Sequence, residues 1–481
     1  MSEAMVDERA PLLKQPESGR KPLPTGQIAI VLLLQLCEAI CIHSVSPYIK
    51  EFVSTLYIAE GSLQTAELIA GLLDSLYFVA EAFTILYWVR LSDSIGRKPV
   101  TLLGSMGAMI SMTSFGVSRT LLALVASRLS CGFWNGNIGV IKSMMVELTD
   151  NTNRADIFWI IHPASTFGSV IGSQLGTSLI RPAEKFPVAF NAAFWDRFPY
   201  LFPCIVASMV VFLSILVTAV FFRETLTASM PISRSSAASD MRPKTLQHGC
   251  THETQLSNGA ISIRAIMTVP VIISIANYST LIFLNILLHS LFSLYSRMPR
   301  NLGGFGLDYD FFRLLQAFYV VGSGTFQFLY FPRLVRSYGT RTVYILSMSA
   351  FVPALLLLPL ARFLVVVHNL ALGSWMLLAV LFFLLFLTDS AHGCILMHII
   401  LCAPDQRSVR YVNGMAQTTA AIVKALGPAL SLSLSHFSLE NETAWGCGIY
   451  AFLAALALCL PVYLPRRPRR YGHMDDKISS F

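Results

Sequence analysis

Twelve apolar stretches run along this chain, each near the roughly 20 residues a helix needs to cross about 30 Å of hydrocarbon, and one polar segment separates the first six from the last six. They are predicted near 27–47, 66–89, 99–118, 121–145, 157–180 and 200–222, then near 266–295, 311–332, 342–361, 372–401, 412–436 and 445–464. Of 481 residues 54% are apolar and 13% charged, about half the charged share of a soluble domain. The spacing therefore predicts an all-α membrane protein with two six-helix bundles, residues 27–223 and 264–465. A linker at 224–263, rich in Ser, Thr, Arg and Pro and without apolar periodicity, joins them. Residues 1–26 form a polar tail that lacks the features of a cleavable signal peptide, and residues 466–481 form a second tail.

The distribution of Lys and Arg orients the chain. With the N-terminus inside, 23 fall on the inner side, including Arg97, Lys98, Arg410 and the cluster from Arg466 to Arg470, and eight on the outer side. Both termini are therefore expected in the cytoplasm. The net charge of +8 follows from topology and anionic lipid, so no nucleic-acid partner is implied. Asn441-Glu442-Thr443, in the last outer loop, is a glycosylation sequon, with chance occurrence as the alternative. Nine cysteines show no paired spacing, so neither a disulfide framework nor a metal site is expected.

The loop between the second and third stretches reads Leu91-Ser92-Asp93-Ser94-Ile95-Gly96-Arg97-Lys98-Pro99. Its glycine permits a tight turn, and its carboxylate can pair with Arg97 or with the positive end of a neighbouring helix. The string, at this position, resembles the loop signature of the major facilitator superfamily. A degenerate echo, Phe331 to Arg341, stands at the equivalent place of the second half, as expected of an internal repeat. Arg128-x-x-x-Gly132 through Asp150 is similar to the drug:proton antiporter-1 type, in particular the fungal multidrug and zinc-induced-facilitator-like proteins, and the resemblance spans residues 27–465.

The resemblance implies that Asp93, Gly96, Arg97 and Lys98 form a gating latch that meets the eleventh helix, expected to begin near Val412, and closes the cytoplasmic side. For Arg97 and Lys98 simple anchoring at the lipid surface is the alternative. The family commonly has Gly at the place of Val89 and a basic residue at the place of Ser94, so a looser latch is expected. Gly168, Gly172 and Gly176, four residues apart, suit close helix packing, and resemble the antiporter signature except for Ser173, where that signature has Pro.

Ionisable residues inside a membrane cost enough that they default to function or pairing. Arg128, Asn135 and Lys142 recur every seven residues and share one face of the fourth helix. Glu38 is the acid expected across from them, and a buried carboxylate is a natural proton carrier. Arg128 with Glu38 as a static ion pair, and Lys142 reaching to the membrane surface, are the alternatives. Asp389 and His392 lie three apart on the tenth helix and can relay a proton, or serve packing. Asn277, Asn285 and His289 offer uncharged hydrogen bonds from the seventh helix. Asp74 and Glu81 are expected to face the other bundle rather than the cavity, and Lys424 to pair with a carboxylate.

No phosphate-binding glycine loop, metalloprotease helix or nucleophile elbow is present, so no enzyme and no bound cofactor is expected, and a proton gradient would supply the energy. The reading is a monomeric secondary transporter exporting a small organic molecule, a drug or secondary metabolite, in exchange for protons. A facilitator or symporter for a nutrient or metal chelate is the alternative, as is a transport-inactive receptor or scaffold. Glu8-Arg9-Ala10-Pro11-Leu12-Leu13 fits an acidic dileucine signal, which points to vacuolar or endosomal membranes, with the plasma membrane the other possibility.

Overall fold

The computed structural model describes residues 23–56, 63–149, 155–190, 192–226, 266–297, 305–357, 360, 371–404, 406–440 and 444–464. Most of the expected N-terminal tail, nearly all of the linker, the C-terminal tail and Asn441 lie outside these residues. Every regular element among them is helical.

The first half comprises α1 (Thr25–His43), α2 (Ile49–Leu56), α3 (Leu63–Ile95), α4 (Arg97–Val117), α5 (Leu121–Asn135), α6 (Ile138–Glu147), α7 (Ala155–Leu179), α8 (Pro182–Lys185), α9 (Ala193–Arg197) and α10 (Leu201–Phe221). The second comprises α11 (Val269–Arg297), α12 (Tyr309–Ser349), α13 (Ala371–Cys402), α14 (Gln406–Glu440) and α15 (Ala444–Val462). Among the described residues seven helical stretches are long and apolar enough to cross a bilayer: Thr25–His43, Leu68–Ile95, Arg97–Val117, Leu201–Phe221, Val269–Ser296, Phe311–Leu357 and Met376–Cys402.

Three departures from the expected elements have local causes. The fourth apolar stretch is divided into α5 and α6 by a turn at Gly136-Asn137. Gly136 sits against Thr84 and Trp88 of α3, where a Cβ would collide. The expected eighth and ninth helices run on as α12, separated only by Gly339 at φ 76°. The eleventh begins at Gln406, six residues before Val412, so that Arg410 lies within it.

Gly96 and Gly339 are equivalent breaks, both with φ in the left-handed region that favours glycine (106° and 76°). Two residues beyond each, a cation closes the same contact. Lys98 Nζ donates to the carbonyl of Phe222 just past α10 (2.8 Å), and Arg341 donates to the carbonyls of Leu464 and Val462 at the end of α15 (3.0 Å each). The internal repeat is thus visible as chemistry, with a basic side chain completing the orphan carbonyls of a helix C-terminus in each half.

Within the first half α1 packs on α7 and α10, and α4 on α5 and α10. Within the second, α11 packs on α13 and α14, and α12 on α13. The halves meet along two seams, α3 and α6 against α14, and α7 against α12 and α13. The α1–α7 contact rests on the predicted glycines. Gly168, Gly172 and Gly176 face the carbonyls of Leu36, Ile40 and Ser44 in turn, with no room for a Cβ. Small residues let the backbones approach, which is how helices associate where lipid offers no hydrophobic drive.

Candidate functional site

Asp93, at the end of α3, is where the two halves join on the expected cytoplasmic side. Its Oδ1 accepts from Arg97 Nη2 (2.8 Å) and from Arg410 Nη1 (2.7 Å). Arg97 is fully buried and also donates to Glu147 Oε1 at the end of α6 (2.9 Å) and to the Ser92 hydroxyl. The expected bond from Asp93 to Arg97 is present, and the partner on α14 is the guanidinium of Arg410 rather than the helix N-terminus. Sequence reasoning does not single out Arg410 or Glu147 for this role. Their positions, at the first turns of one helix and the end of another, carry no local signal of the contact.

Glu224 completes this end. Its Oε1 and Oε2 accept from the backbone N–H groups of Arg97 (2.9 Å) and Lys98 (3.0 Å), capping α4 with a carboxylate. A Cβ on Gly96 would lie 2.7 Å from Glu224 Oε2, so the glycine serves both the turn and the cap. Burial pushes the Glu224 carboxyl up, but the backbone N–H groups of Leu226, Arg97, Lys98 and Thr225 outweigh it and hold the group below the ordinary carboxylate range. Lys98, expected in the latch, contacts α10 instead.

Val89 is fully buried and fills the space against Gly139 of α6 and Gly414 of α14, so close approach comes from glycines on the facing helices. Ser94 is exposed and bonds the carbonyl of Leu91. Arg410 supplies the charge that a basic residue at 94 would have brought.

Deeper along the same seam Lys142 does not reach to the membrane surface. Its Nζ donates to Gln417 Oε1 of α14 and to the Tyr278 hydroxyl of α11 (3.4 Å). Asn413 Nδ2 donates to the Gly139 carbonyl (3.4 Å), and Ser75 donates to the carbonyl of Ala425 (2.9 Å). Polar bonds therefore cross from the first half to α14 at several depths, each worth on average about 0.6 kcal/mol in a membrane.

The predicted polar stripe on the fourth helix separates into three sets of partners. Arg128 pairs with Asp74 of α3 (2.8 Å) and lies 5.0 Å from the Phe115 ring, so the alternative of an Arg128–Glu38 pair is not what forms. Glu38 accepts a long bond from Gln35 (3.5 Å) and lies close enough to Glu81, Asn135, Lys142 and Lys424 to interact electrostatically. Glu81, expected to face away from this site, is buried, and among the described residues its Oε2 and Asn135 Nδ2 have no hydrogen-bond partner. A cavity of about 30 Å³, room for one water, is lined by Glu38, Tyr77, Cys131 and Asn135 among others. Lys424 lies over the Phe78 ring at 5.6 Å.

In the second half Asp389 is buried on α13, and its Oδ2 accepts from Tyr319 (2.6 Å) and Ser323 (2.5 Å) of α12. Its Oδ1 lies 3.5 Å from His162 Nε2 of α7. His392 does not bond Asp389 side by side as the three-residue spacing suggested. Its ring stacks on His162 at 3.8 Å, nearly parallel, so the two residues are related through a third from the other half. Sequence reasoning misses His162, beside Pro163 within an apolar run, although its membrane depth is a usable signal. Asn277 is corrected. It is fully buried within its own half, donating to the Ile273 carbonyl (2.9 Å) and accepting from Tyr344 (3.4 Å), and it serves packing. Asn285 is half-buried on α11, next to Ile286, which packs on Gly427 of α14.

The structure brings together two helical halves, charged contacts between them and buried ionisable groups on their helices. Comparison with known proteins gives the same picture. The family model "Major Facilitator Superfamily" matches residues 31–298. The chain is 26% identical to the Major facilitator superfamily multidrug transporter mfsB of Aspergillus fumigatus, over 89% of this chain and 81% of that one. It is 26% identical to Protein ZINC INDUCED FACILITATOR-LIKE 1 of Arabidopsis thaliana, over 93% and 92%. Its fold matches that of the human organic anion transporter MFSD10 (TETRAN) with a TM-score of 0.66 at 18% identity, covering 92% of this chain and all of that one. This chain belongs to the Major Facilitator Superfamily of membrane transporters.

Proposed function

We propose that the chain exports a small organic molecule, amphipathic or aromatic, in exchange for protons. Two bundles, residues 27–223 and 264–465, alternate around a central site, with twelve spans, both termini in the cytoplasm, and a single chain as the working unit. Asp93, Arg97 and Arg410 act as the cytoplasmic latch. Vacuolar or endosomal membranes are the expected location, or the plasma membrane.

The observation that carries proton coupling is the cluster of Glu38 and Glu81 with Asn135. Carboxylates from α1 and α3 lie near one amide within the apolar layer, and among the described residues Glu81 Oε2 has no hydrogen-bond partner. Adjacent buried carboxylates hold a proton between them more readily than two negative charges, and the nearby ammonium groups of Lys142 and Lys424 provide a charge that rearrangement can bring closer or remove. Similarity to a protein named as a multidrug transporter supports the cargo class.

Reconstituted vesicles with an imposed pH gradient test this. Accumulation of amphipathic compounds should follow the gradient in the intact protein, and Glu38→Gln should lose gradient-driven accumulation while retaining downhill exchange. Transport indifferent to the gradient would eliminate antiport. Accumulation in the same direction as the protons would point to symport.

A further inference from the structure

His162 of α7 and Asp389 and His392 of α13 each direct one ligand atom into a common space, with all three atoms within 4.8 Å of one another. Two of the three side chains are at least nine-tenths buried, at 1% and 8% exposure for Asp389 and His392. Among the described residues Asp389 Oδ1 and His392 Nδ1 have no hydrogen-bond partner. Two nearly parallel imidazoles and a carboxylate with an open oxygen are a costly grouping for a membrane interior unless something is shared among them.

We propose that this cluster is a binding site for a divalent transition-metal ion of the zinc class, and that the bound ion clamps the two halves together. The donor set is two imidazoles and one carboxylate, which suits Zn²⁺, Co²⁺, Ni²⁺ or Cu²⁺ rather than the all-oxygen preference of Mg²⁺ or Ca²⁺. Around zinc, with bonds of about 2.0–2.2 Å, tetrahedral ligand atoms lie about 3.3 Å apart. The cluster would contract by up to about 1.5 Å and the two stacked rings would turn out of parallel, so that each nitrogen lone pair meets the ion, shifts that side-chain torsions supply.

The surroundings have the form of an outer shell. Asp389 Oδ2 is held by Tyr319 and Ser323, and Gln327 Nε2 donates to Ser323 in turn (3.2 Å). The carboxylate is thereby oriented with Oδ1 towards His162, as metal-ligating carboxylates are in known sites. His289 of α11 lies against the Tyr319 ring at 5.4 Å, beside a residue that holds Asp389 and outside the three-ligand cluster.

The consequence lies in connectivity. His162 belongs to the first half and the other ligands to the second, and the seam of α7 against α12 and α13 is one of the two along which the halves meet. An ion bound to both sides resists their separation, so it inhibits a cycle that needs this seam to open. Binding of the ion needs only this geometry, whereas the inhibition rests on the alternating cycle proposed above.

Full-length purified protein in lipid nanodiscs, stripped of metal and titrated with ZnCl₂, tests the site. One ion per chain is expected, with thermal stability rising as zinc is added, and no comparable binding of Mg²⁺. His162→Gln and His392→Gln should each weaken zinc binding at least about tenfold, since loss of an outer-shell partner alone costs that much. His398→Gln, a buried histidine on α13 outside the cluster, should bind as the intact protein does. X-ray absorption at the zinc edge of the intact protein decides independently of variants. A shell of nitrogen and oxygen with imidazole scattering is expected. A shell containing sulphur would place the ion on the buried cysteines, among them Cys37, Cys41 and Cys131, and overturn the assignment, as would the absence of a retained ion or equal loss in His398→Gln.

Discussion

Arg410 Nη1 lies 2.7 Å from the same Asp93 oxygen that Arg97 holds at 2.8 Å, so one carboxylate oxygen serves a cation from each half of the molecule. Both members of the Asp93–Arg410 pair are about one-fifth exposed, which leaves the contact strong enough to hold and open enough to water to be released.

If the pair works as a unit, Asp93→Asn and Arg410→Gln should each slow transport about tenfold, and the double variant should be little worse than either single one. Initial rates in vesicles measure this. Independent, multiplying losses would mean that the two residues act separately.

Glu224 predicts a pH dependence at the cytoplasmic end. Its carboxyl is held below the ordinary carboxylate range, so its stabilising effect is complete above the unfolded value of about 4.3 and is lost as pH falls through the lower folded value. Glu224→Ala should therefore lower stability near neutral pH by about 1 kcal/mol, the usual value of a helix cap. The gap between variant and parent should shrink on acidification. Unfolding followed at neutral and acid pH gives both numbers, and a gap that grows with acid would refute the capping account.

The glycine face of α7 predicts a steep size limit. Gly172→Val places a side chain onto the backbone of Ile40 and should cost more than the roughly 1–3 kcal/mol of ordinary overpacking, seen as loss of folded protein on size-exclusion chromatography. Gly71 of α3 is the contrasting case, with no atom within 4 Å of the position a Cβ would take. Gly71→Ala should fold as well as the parent or better.

Arg128 and Asp74 predict a compensating pair. Arg128 is almost fully buried while the Asp74 side chain is about one-third exposed. Arg128→Gln should destabilise by less than the roughly 3–5 kcal/mol of a fully buried pair, and adding Asp74→Asn should restore part of the loss. Thermal unfolding of the two single variants and the double variant measures the coupling. A double variant less stable than both would show that the residues do not compensate each other.

The loop around Asp93 is legible in the sequence because its chemistry is local. Gly96 must turn, Asp93 and Arg97 are four residues apart, and both expectations hold. The glycine stripe of α7 is equally readable from its four-residue spacing. The partners are not. Arg410 is 317 residues from Asp93, Gln417 is 275 from Lys142, and Asp389 meets a histidine in the other half. Hydropathy and spacing report which face of a helix is polar, whereas the identity of the facing residue depends on how two helices cross. Asn277 shows the limit plainly: its polar side chain on an apolar helix is satisfied by its own turn and by Tyr344.

Length and apolarity of the stretches and the glycine-centred loops are properties of short segments, and the amino-acid order alone carries them, because the bilayer requires each spanning segment to satisfy its own backbone. Which ionisable groups meet was left to the tertiary structure. Helix packing turned Arg128 to Asp74 and His162 onto His392, because in an apolar medium a polar group is stabilised by whichever partner the crossing of helices brings within a few ångströms.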